Sequence, residues 1–453
     1  MSTVDPSAGP QRKALARQIF SYALTEASIA RAFDRQVDLE RGGVLRVGED
    51  LFDLNSYRRR FVVAIGKAAN AMVEALAAKT GEMFEGIVAS SVPPEQQVRG
   101  YRYFLGGHPT PNADSVLAAD AALRALHSLA QNGDQSSLVV FLISGGGSSI
   151  LEKPIDDEIS LADLIATYRA LVLCGAPIAE INAVRKHLSA VKGGRLALAA
   201  SGAQQVSLLV SDVPDTTPDA LASGPTLPDS SSVEDCRRIV EKHGLLPQFP
   251  SSVRELFERD ALEETPKSDD PVFVRSRWWT ILSNKTAVAA AAAEAARLGF
   301  SVTIDNSCDD WDYDRAAEYL VVRLRELRRD NQHKTNPRVC LISGGEVTVK
   351  VTVDGGVGGR NQQFALACAS RIAGENITVL SAGTDGIDGN SLAAGAVVDG
   401  AAVGAAAMSG LSIQRHLERF DAYPLFRSLG DSVITGATGN NLRDLRILLA
   451  DPS

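Results

Sequence analysis

Phe61-Val62-Val63-Ala64-Ile65-Gly66-Lys67-Ala68-Ala69 is the stretch from which the fold can be read. The apolar run 61–65 reads as a strand buried on both faces. Gly66 turns the chain, and the alanine-rich pattern over 68–79 reads as the helix that follows. The same grammar recurs downstream. Gly86–Ser90 reads as a strand, 115–131 as a helix, Leu138–Ile143 as a third strand and Val206–Ser211 as a fourth. Strands alternating with helices imply βαβ units and a mostly parallel, Rossmann-like sheet flanked by helices. Upstream, Arg12 to about Phe33 has amphipathic helical spacing, and residues 1–10 read as a flexible tail.

Composition changes over 228–276, where prolines sit among charged and serine residues. That segment reads as one or two short helices and then a linker. The α/β pattern restarts at Trp278–Ser283, with Asn284 as the cap of a helix over 285–298. Further strands are expected at Ser301–Ile304, 338–343, 347–353 and 377–381, with a charged helix near 314–329. The 453 residues thus divide into a tail (1–10), a larger α/β domain (11–270) and a smaller α/β domain (271–453).

The net charge of −9 leaves no basic excess to displace counterions from nucleic acid. The five cysteines form no C-x-x-C pair, and the six histidines show no metal-ligand spacing, which points to reduced thiols rather than disulfides or zinc. No basic-then-apolar leader and no apolar run of membrane length is visible. A cytoplasmic protein is expected, with small-molecule partners, no membrane, and a monomeric or homodimeric state.

Five segments carry chemistry. At Gly66-Lys67, a strand-to-helix turn offers free N–H groups and a cation to an anion, though a plain surface lysine fits the spacing equally well. At Ser144-Gly145-Gly146-Gly147-Ser148, three glycines let successive N–H groups curl around a phosphate. Over 181–195, Ile181, Val184, Leu188 and Val191 form a helical core face. Asn182, Arg185, Ser189 and Lys192 form a polar stripe beside it, and Gly193-Gly194 end the helix. Asp212 ends a strand, where a metal or hydroxyl ligand commonly sits. In the second domain, Ser343-Gly344-Gly345-Glu346 precedes four glycines and Arg360, which reads as a loop closing on a ligand with a guanidinium at its tip. Asp385 and Asp388 follow, as magnesium ligands or as tight Asp-Gly turn residues.

The ordered set resembles the glycerate 2-kinase family, whose members join an N-terminal Rossmann-like domain to a C-terminal MOFRL domain. The resemblance rests on Gly66–Ala69, Gly107-His108-Pro109-Thr110-Pro111, Ser144–Ser148, Asn182–Arg195, Ser211–Pro214, Ser223–Thr226, Gly358–Gln362, Gly383–Gly389 and Thr435–Asn441. Gln363, Asn390–Ala393 and Thr435–Asn441 depart from the family's usual residues. The resemblance implies transfer of phosphate from ATP, with Mg²⁺, to D-glycerate, giving 2-phosphoglycerate in a cleft between the domains. It makes Lys67 and Arg360 the principal catalytic residues.

On this reading Ser144–Ser148 and Lys192 hold the nucleotide, and Asn182 and Arg185 hold the acid, with Lys192 a further candidate for its carboxylate. Asp212, Glu346 and Asp385 hold Mg²⁺, and Asp212 or Asp385 takes the hydroxyl proton. Two rivals remain. The first is an NAD(P)H-dependent hydroxypyruvate reductase, against which stands the lack of a Gly-x-Gly-x-x-Gly turn opening a helix. The second is a non-catalytic nucleotide or sugar-acid binder.

Overall fold

The computed structural model describes residues 8–130, 136–352 and 354–452. Two compact units emerge, one over Ala32–Ile281 and one from Leu282 onward that takes in the N-terminal segment up to Arg31.

The first unit begins with an antiparallel meander of β1 (Val37–Glu40), β2 (Val44–Val47) and β3 (Asp50–Asp53), which the sequence reading did not identify. Its main sheet contains β4 (Arg59–Ile65), β5 (Glu85–Ser90), β6 (Tyr101–Leu105), β7 (Ser137–Ser144), β8 (Gln204–Val210) and β9 (Ser276–Leu282). The order is β6-β5-β4-β7-β8-β9, and the β5–β6, β4–β5, β4–β7 and β7–β8 pairs are parallel. Numbered from its own first strand, that is the 3-2-1-4-5-6 order of doubly wound dinucleotide-binding folds. Its switch point lies between β4 and β7, where such sheets bind ligands at their carboxyl ends. The central strand β7 is buried at every position, as expected for a strand covered on both faces. On one face Val63, Ile65, Phe141 and Ile143 pack against Ala118, Ala122 and Leu126 of the helix Ala113–Ala130.

The second unit contains β10 (Ser301–Ile304), β11 (Val339–Gly344), β12 (Ile377–Gly383), β13 (Gly395–Asp399), β14 (Ser432–Val433) and β15 (Asp444–Ala450), in the order β10-β11-β15-β12-β13-β14. Only β10–β11 is parallel; the other pairs are antiparallel. The period-2 alternation of β15 serves both faces. Leu445, Ile447 and Leu449 pack with the helices Ala8–Glu26 and Asn284–Arg297, while Leu448 and Ala450 pack with Tyr313–Asn331 and Arg360–Arg371.

Several expectations change. The helix expected over Arg12–Phe33 is Ala8–Glu26 followed by Ile29–Gln36, and the first of these covers the second unit's sheet. Residues 8–10 of the expected tail open that helix, and residues 1–7 lie outside the described residues, as does Gln131 at the end of the expected helix 115–131. Trp278–Ser283, expected to restart the pattern in the second domain, instead supplies the edge strand β9 of the first sheet. The compact units therefore divide at Leu282 rather than near 270. Residues 347–352 form no strand beyond a single bridge from Thr348 to Asp312, and residue 353 lies outside the described residues. Ser283, not Asn284, is the cap of the helix Asn284–Arg297. Among the described residues no helix is long and apolar enough to cross a membrane.

Candidate functional site

At the switch point of the first unit, β4 and β7 end side by side, with Ile65 opposite Ile143. Gly66 follows at φ 115°. A Cβ there would lie 2.4 Å from both the carbonyl oxygen and the Oγ of Ser144, so only glycine lets the two turns touch. The contact is stitched by hydrogen bonds. Lys67 N–H donates to the Gly145 carbonyl at 2.9 Å. Ser144 Oγ accepts from Ala68 N–H at 3.0 Å and donates to the Ile65 carbonyl. The Ser144 hydroxyl is thus spent on the turn and is not a phosphate ligand, which corrects the sequence reading.

Around this seam the chain gathers polar groups. Asp212, two residues beyond β8, lies against Gly145, where an added Cβ would stand 1.9 Å from Asp212 Oδ2. Gly146, at φ 80°, leaves room for Lys67 and His108. Gly147 opens the short helix Gly147–Ile150 and abuts Ala222. Ser148 Oγ lies 2.9 Å from Ser223 Oγ. Ala222 and Ser223 both have left-handed φ, at 50° and 60°. Such non-glycine strain costs ~1–3 kcal/mol per residue and clusters at functional sites. Lys67 is exposed and makes no ion pair or hydrogen bond through its ammonium among the described residues. Burial, and then the neighbouring Lys67 charge, hold His108 below its ordinary range. Lys67, Gly145, Gly146, Gly147, Ser148 and Asp212 are therefore brought together, and His108 joins them.

The polar stripe is reorganised. The helix Ile178–His187 ends before Ser189 and Lys192, so only Asn182 and Arg185 share its face. Lys192 and Glu152 form a fully buried ion pair. Ser189 Oγ and Tyr168 Oη donate to Glu152 at 2.6 and 2.8 Å. Burial pushes Lys192 down to about 8, against the pull of Glu152. Lys192 is thus a structural partner of Glu152 rather than a nucleotide ligand. Glu152 and Tyr168 were not singled out from the sequence, because no spacing rule connects residues so far apart in the chain. Lys186 is likewise buried, paired with Asp219 and Asp229.

In the second unit Arg360 is not at a loop tip. It is the first residue of the helix Arg360–Arg371, where the helix dipole disfavours a cation. Two carboxylates compensate. Arg360 Nε and Nη2 donate to Asp444 at 2.6 and 3.1 Å, and Nη1 donates to Glu346 at 2.8 Å. Burial works against the Arg360 charge, yet Asp444 and Glu346 outweigh it and hold the guanidinium above its ordinary value. Burial lifts Glu346 above its ordinary range, opposed by Arg360 and assisted by Asp444. Asp444, missed from the sequence, is almost fully buried.

Asp388 is not a metal ligand. It accepts from the N–H groups of Asn361 and Gln362 at 3.0 and 2.9 Å and from both their side-chain amides, capping the helix start from outside. Burial pushes its carboxyl up to about 6, against those donors. Glu346, Gly359, Arg360 and Asp385 line a cavity of about 850 Å³, within the usual range for ligand pockets. Among the described residues no three His, Cys, Asp or Glu side chains converge as a metal site. Of the expected magnesium ligands, Asp212 belongs to the first unit and Glu346 and Asp385 to the second.

The geometry has close relatives. Residues 15–258 match the family described as a domain of unknown function, DUF4147, and residues 339–444 match the MOFRL family. A glycerate 2-kinase of Pyrococcus horikoshii is 35% identical over 86% of this chain and 87% of its own. A D-glycerate 2-kinase of Thermotoga maritima is 35% identical over 86% and 90%. The crystal structure of a glycerate kinase from that organism superposes with a TM-score of 0.84 at 32% identity, covering 98% of this chain and 100% of its own. An Agrobacterium vitis relative that carries a provisional hydroxypyruvate reductase name is 34% identical over 86% and 87%. With both halves matched in order and full-length kinases similar throughout, the chain belongs to the glycerate 2-kinase family of phosphotransferases.

Proposed function

We propose that the chain transfers the terminal phosphate of ATP to D-glycerate, giving 2-phosphoglycerate. The observation that carries the reading is Lys67: an unpaired ammonium beside a glycine turn at the switch point of a doubly wound sheet. Phosphoryl transfer needs positioning and charge neutralisation more than covalent chemistry from the protein. The Gly145–Ser148 turn is assigned to the phosphates, with Lys67 neutralising charge there. Asn182 and Arg185 are assigned to the acid, and Arg185 supports this because no carboxylate lies within ion-pair distance of it among the described residues.

Arg360 is assigned to the same reaction, as a second neutralising charge. Asp444 fixes it, while Glu346, which lines the cavity, is the partner that an incoming phosphate oxygen would replace. Asp212, lying against Gly145, is the favoured acceptor of the hydroxyl proton. Mg²⁺ would neutralise phosphate oxygens when bound. Asp385 and Glu346 fit an ion that arrives on the nucleotide and keeps part of its water, because magnesium commonly takes only one or two carboxylates besides phosphate. The five free cysteines support a reducing, cytoplasmic setting, with the chain acting as monomer or homodimer.

Two parallel assays test the reading. One supplies D-glycerate and ATP with Mg²⁺ and measures ADP; the other supplies hydroxypyruvate and NADH and measures NADH oxidation. ADP release that requires D-glycerate is expected. NADH oxidation without it would instead support the reductase, and ATP binding without turnover the non-catalytic binder.

A further inference from the structure

Beside Arg185 lies a buried group of side chains, Tyr168, Glu152, Ser189 and Lys192, that the reaction scheme above does not use. The Arg185 guanidinium stacks over the ring of Tyr168, with its carbon 4.4 Å from the ring centroid. Arg185 Nε is buried and has no hydrogen-bond partner. The Tyr168 ring cannot swing away, since its hydroxyl donates to Glu152 Oε2 at 2.8 Å. Glu152 is itself fixed by Lys192, by Ser189 Oγ at 2.6 Å and by the N–H of Lys153 at 3.0 Å. Glu152 is wholly buried, and Lys192 is 1% exposed. The network continues to the glycine turn. Gly193, next to Lys192, donates its N–H to the Ser223 carbonyl at 3.0 Å, and the Ser223 hydroxyl meets that of Ser148.

A buried ion pair of this kind seldom adds stability over apolar packing, but it can fix one arrangement of the side chains around it. Here it anchors the plate on which a guanidinium without a carboxylate partner rests. A planar cation on an aromatic face is held in orientation while its edge remains able to take a carboxylate.

We propose that Tyr168, locked by Glu152 and Lys192, is a positioning residue that presents Arg185 to the carboxylate of a small 2-hydroxy acid. Affinity for the acid, and not for the nucleotide, then depends on the Tyr168 ring. The inference rests on the assignment of Arg185 to the acid, and the test separates the two.

Initial rates are measured with D-glycerate varied at saturating ATP, and with ATP varied at saturating D-glycerate, for the full-length wild type, Arg185→Ala, Tyr168→Leu and Tyr168→Phe. Arg185→Ala and Tyr168→Leu are expected to raise the KM for D-glycerate by about tenfold or more and to leave the KM for ATP within about twofold. Tyr168→Phe keeps the ring but loses the hydroxyl that Glu152 holds, so its KM for D-glycerate should rise by about threefold, between the wild-type and Leu values. If Tyr168→Leu does not fold, Tyr168→Met fills the same space without a ring and carries the same expectation. A normal KM for D-glycerate in the Leu or Met variant, while Arg185→Ala raises it, overturns the positioning role and leaves the Arg185 assignment standing. A normal value in Arg185→Ala overturns that assignment and the inference with it. Parallel losses toward both substrates in the Phe and Leu variants would mean that the cluster only supports the fold, which also overturns the inference.

Discussion

Gly66→Ala puts the switch-point geometry to a quantitative test. Two costs add at this position. The backbone sits at φ 115°, where an L side chain is strained by about 1–2 kcal/mol. The new methyl would also stand 2.4 Å from the backbone oxygen of Ser144, and overpacking of this kind costs about 1–3 kcal/mol. The sum is ~2–5 kcal/mol. Gly81 is the internal control. It ends the helix Ala69–Thr80 at φ 61° and ψ −143° with nothing within 4 Å of an added Cβ, so Gly81→Ala carries the backbone strain alone, ~1–3 kcal/mol, and the difference between the variants is the overpacking of about 1–3 kcal/mol. At about 2 °C per kcal/mol for a unit of this size, calorimetry should place Gly66→Ala a few degrees below Gly81→Ala. Displacing the Lys67 N–H from Gly145 should also lower kcat/KM in Gly66→Ala alone. Equal melting temperatures with full activity in both variants would refute the close approach of the two turns.

Other outcomes follow from the second unit. Arg360→Lys cannot reproduce the paired donors to Asp444 and Glu346; turnover should fall about 100-fold, read by ADP release. Asp388 binds its proton up to about pH 6 in the folded chain but only to about pH 4 when unfolded. Between those values the folded state holds the extra proton, so this group's contribution to stability falls as pH rises, by at most ~1.4 kcal/mol per pH unit, and is flat above about pH 6. Asp388→Asn removes that slope and, because an amide nitrogen cannot accept from Gln362, should cost ~1–3 kcal/mol at pH 7. Thermal melts of both proteins between pH 4.5 and 7 check the sign and the size.

The parallel sheet was legible because parallel strands covered on both faces leave continuous apolar runs, as in 61–65 and 138–143. The second sheet was legible only in part: β10, β11 and β12 were expected as strands, and β13, β14 and β15 were not. The middle strand β15 carries Asp444 and Arg446 in its first half, and nothing local says that it inserts antiparallel between β11 and β12. The spacing of Ala16, Ile19, Phe20 and Ala23 announces a buried helix face but not the sheet it meets, which lies far away in sequence. Gly66 and Gly145–Gly147 were legible as a turn because few other residues permit such contacts. The fate of the hydroxyls and charges was not. Ser144 serves a backbone amide across the seam, Lys192 pairs with Glu152, and Arg360 pairs with a carboxylate 84 positions away. Pattern reading finds the charge, while three-dimensional neighbours decide whether it is spent or available.

Lys67 is a charge that the first unit leaves available beside the glycine turn, and Lys67→Ala tests this most directly. With no ion pair among the described residues to lose, the variant should melt within about 1 °C of wild type, since surface substitutions of this kind change stability by less than about 0.5 kcal/mol. Its D-glycerate-dependent ADP release should fall by about 100-fold to 1,000-fold. A folded Lys67→Ala protein that turns over at the wild-type rate would contradict the account.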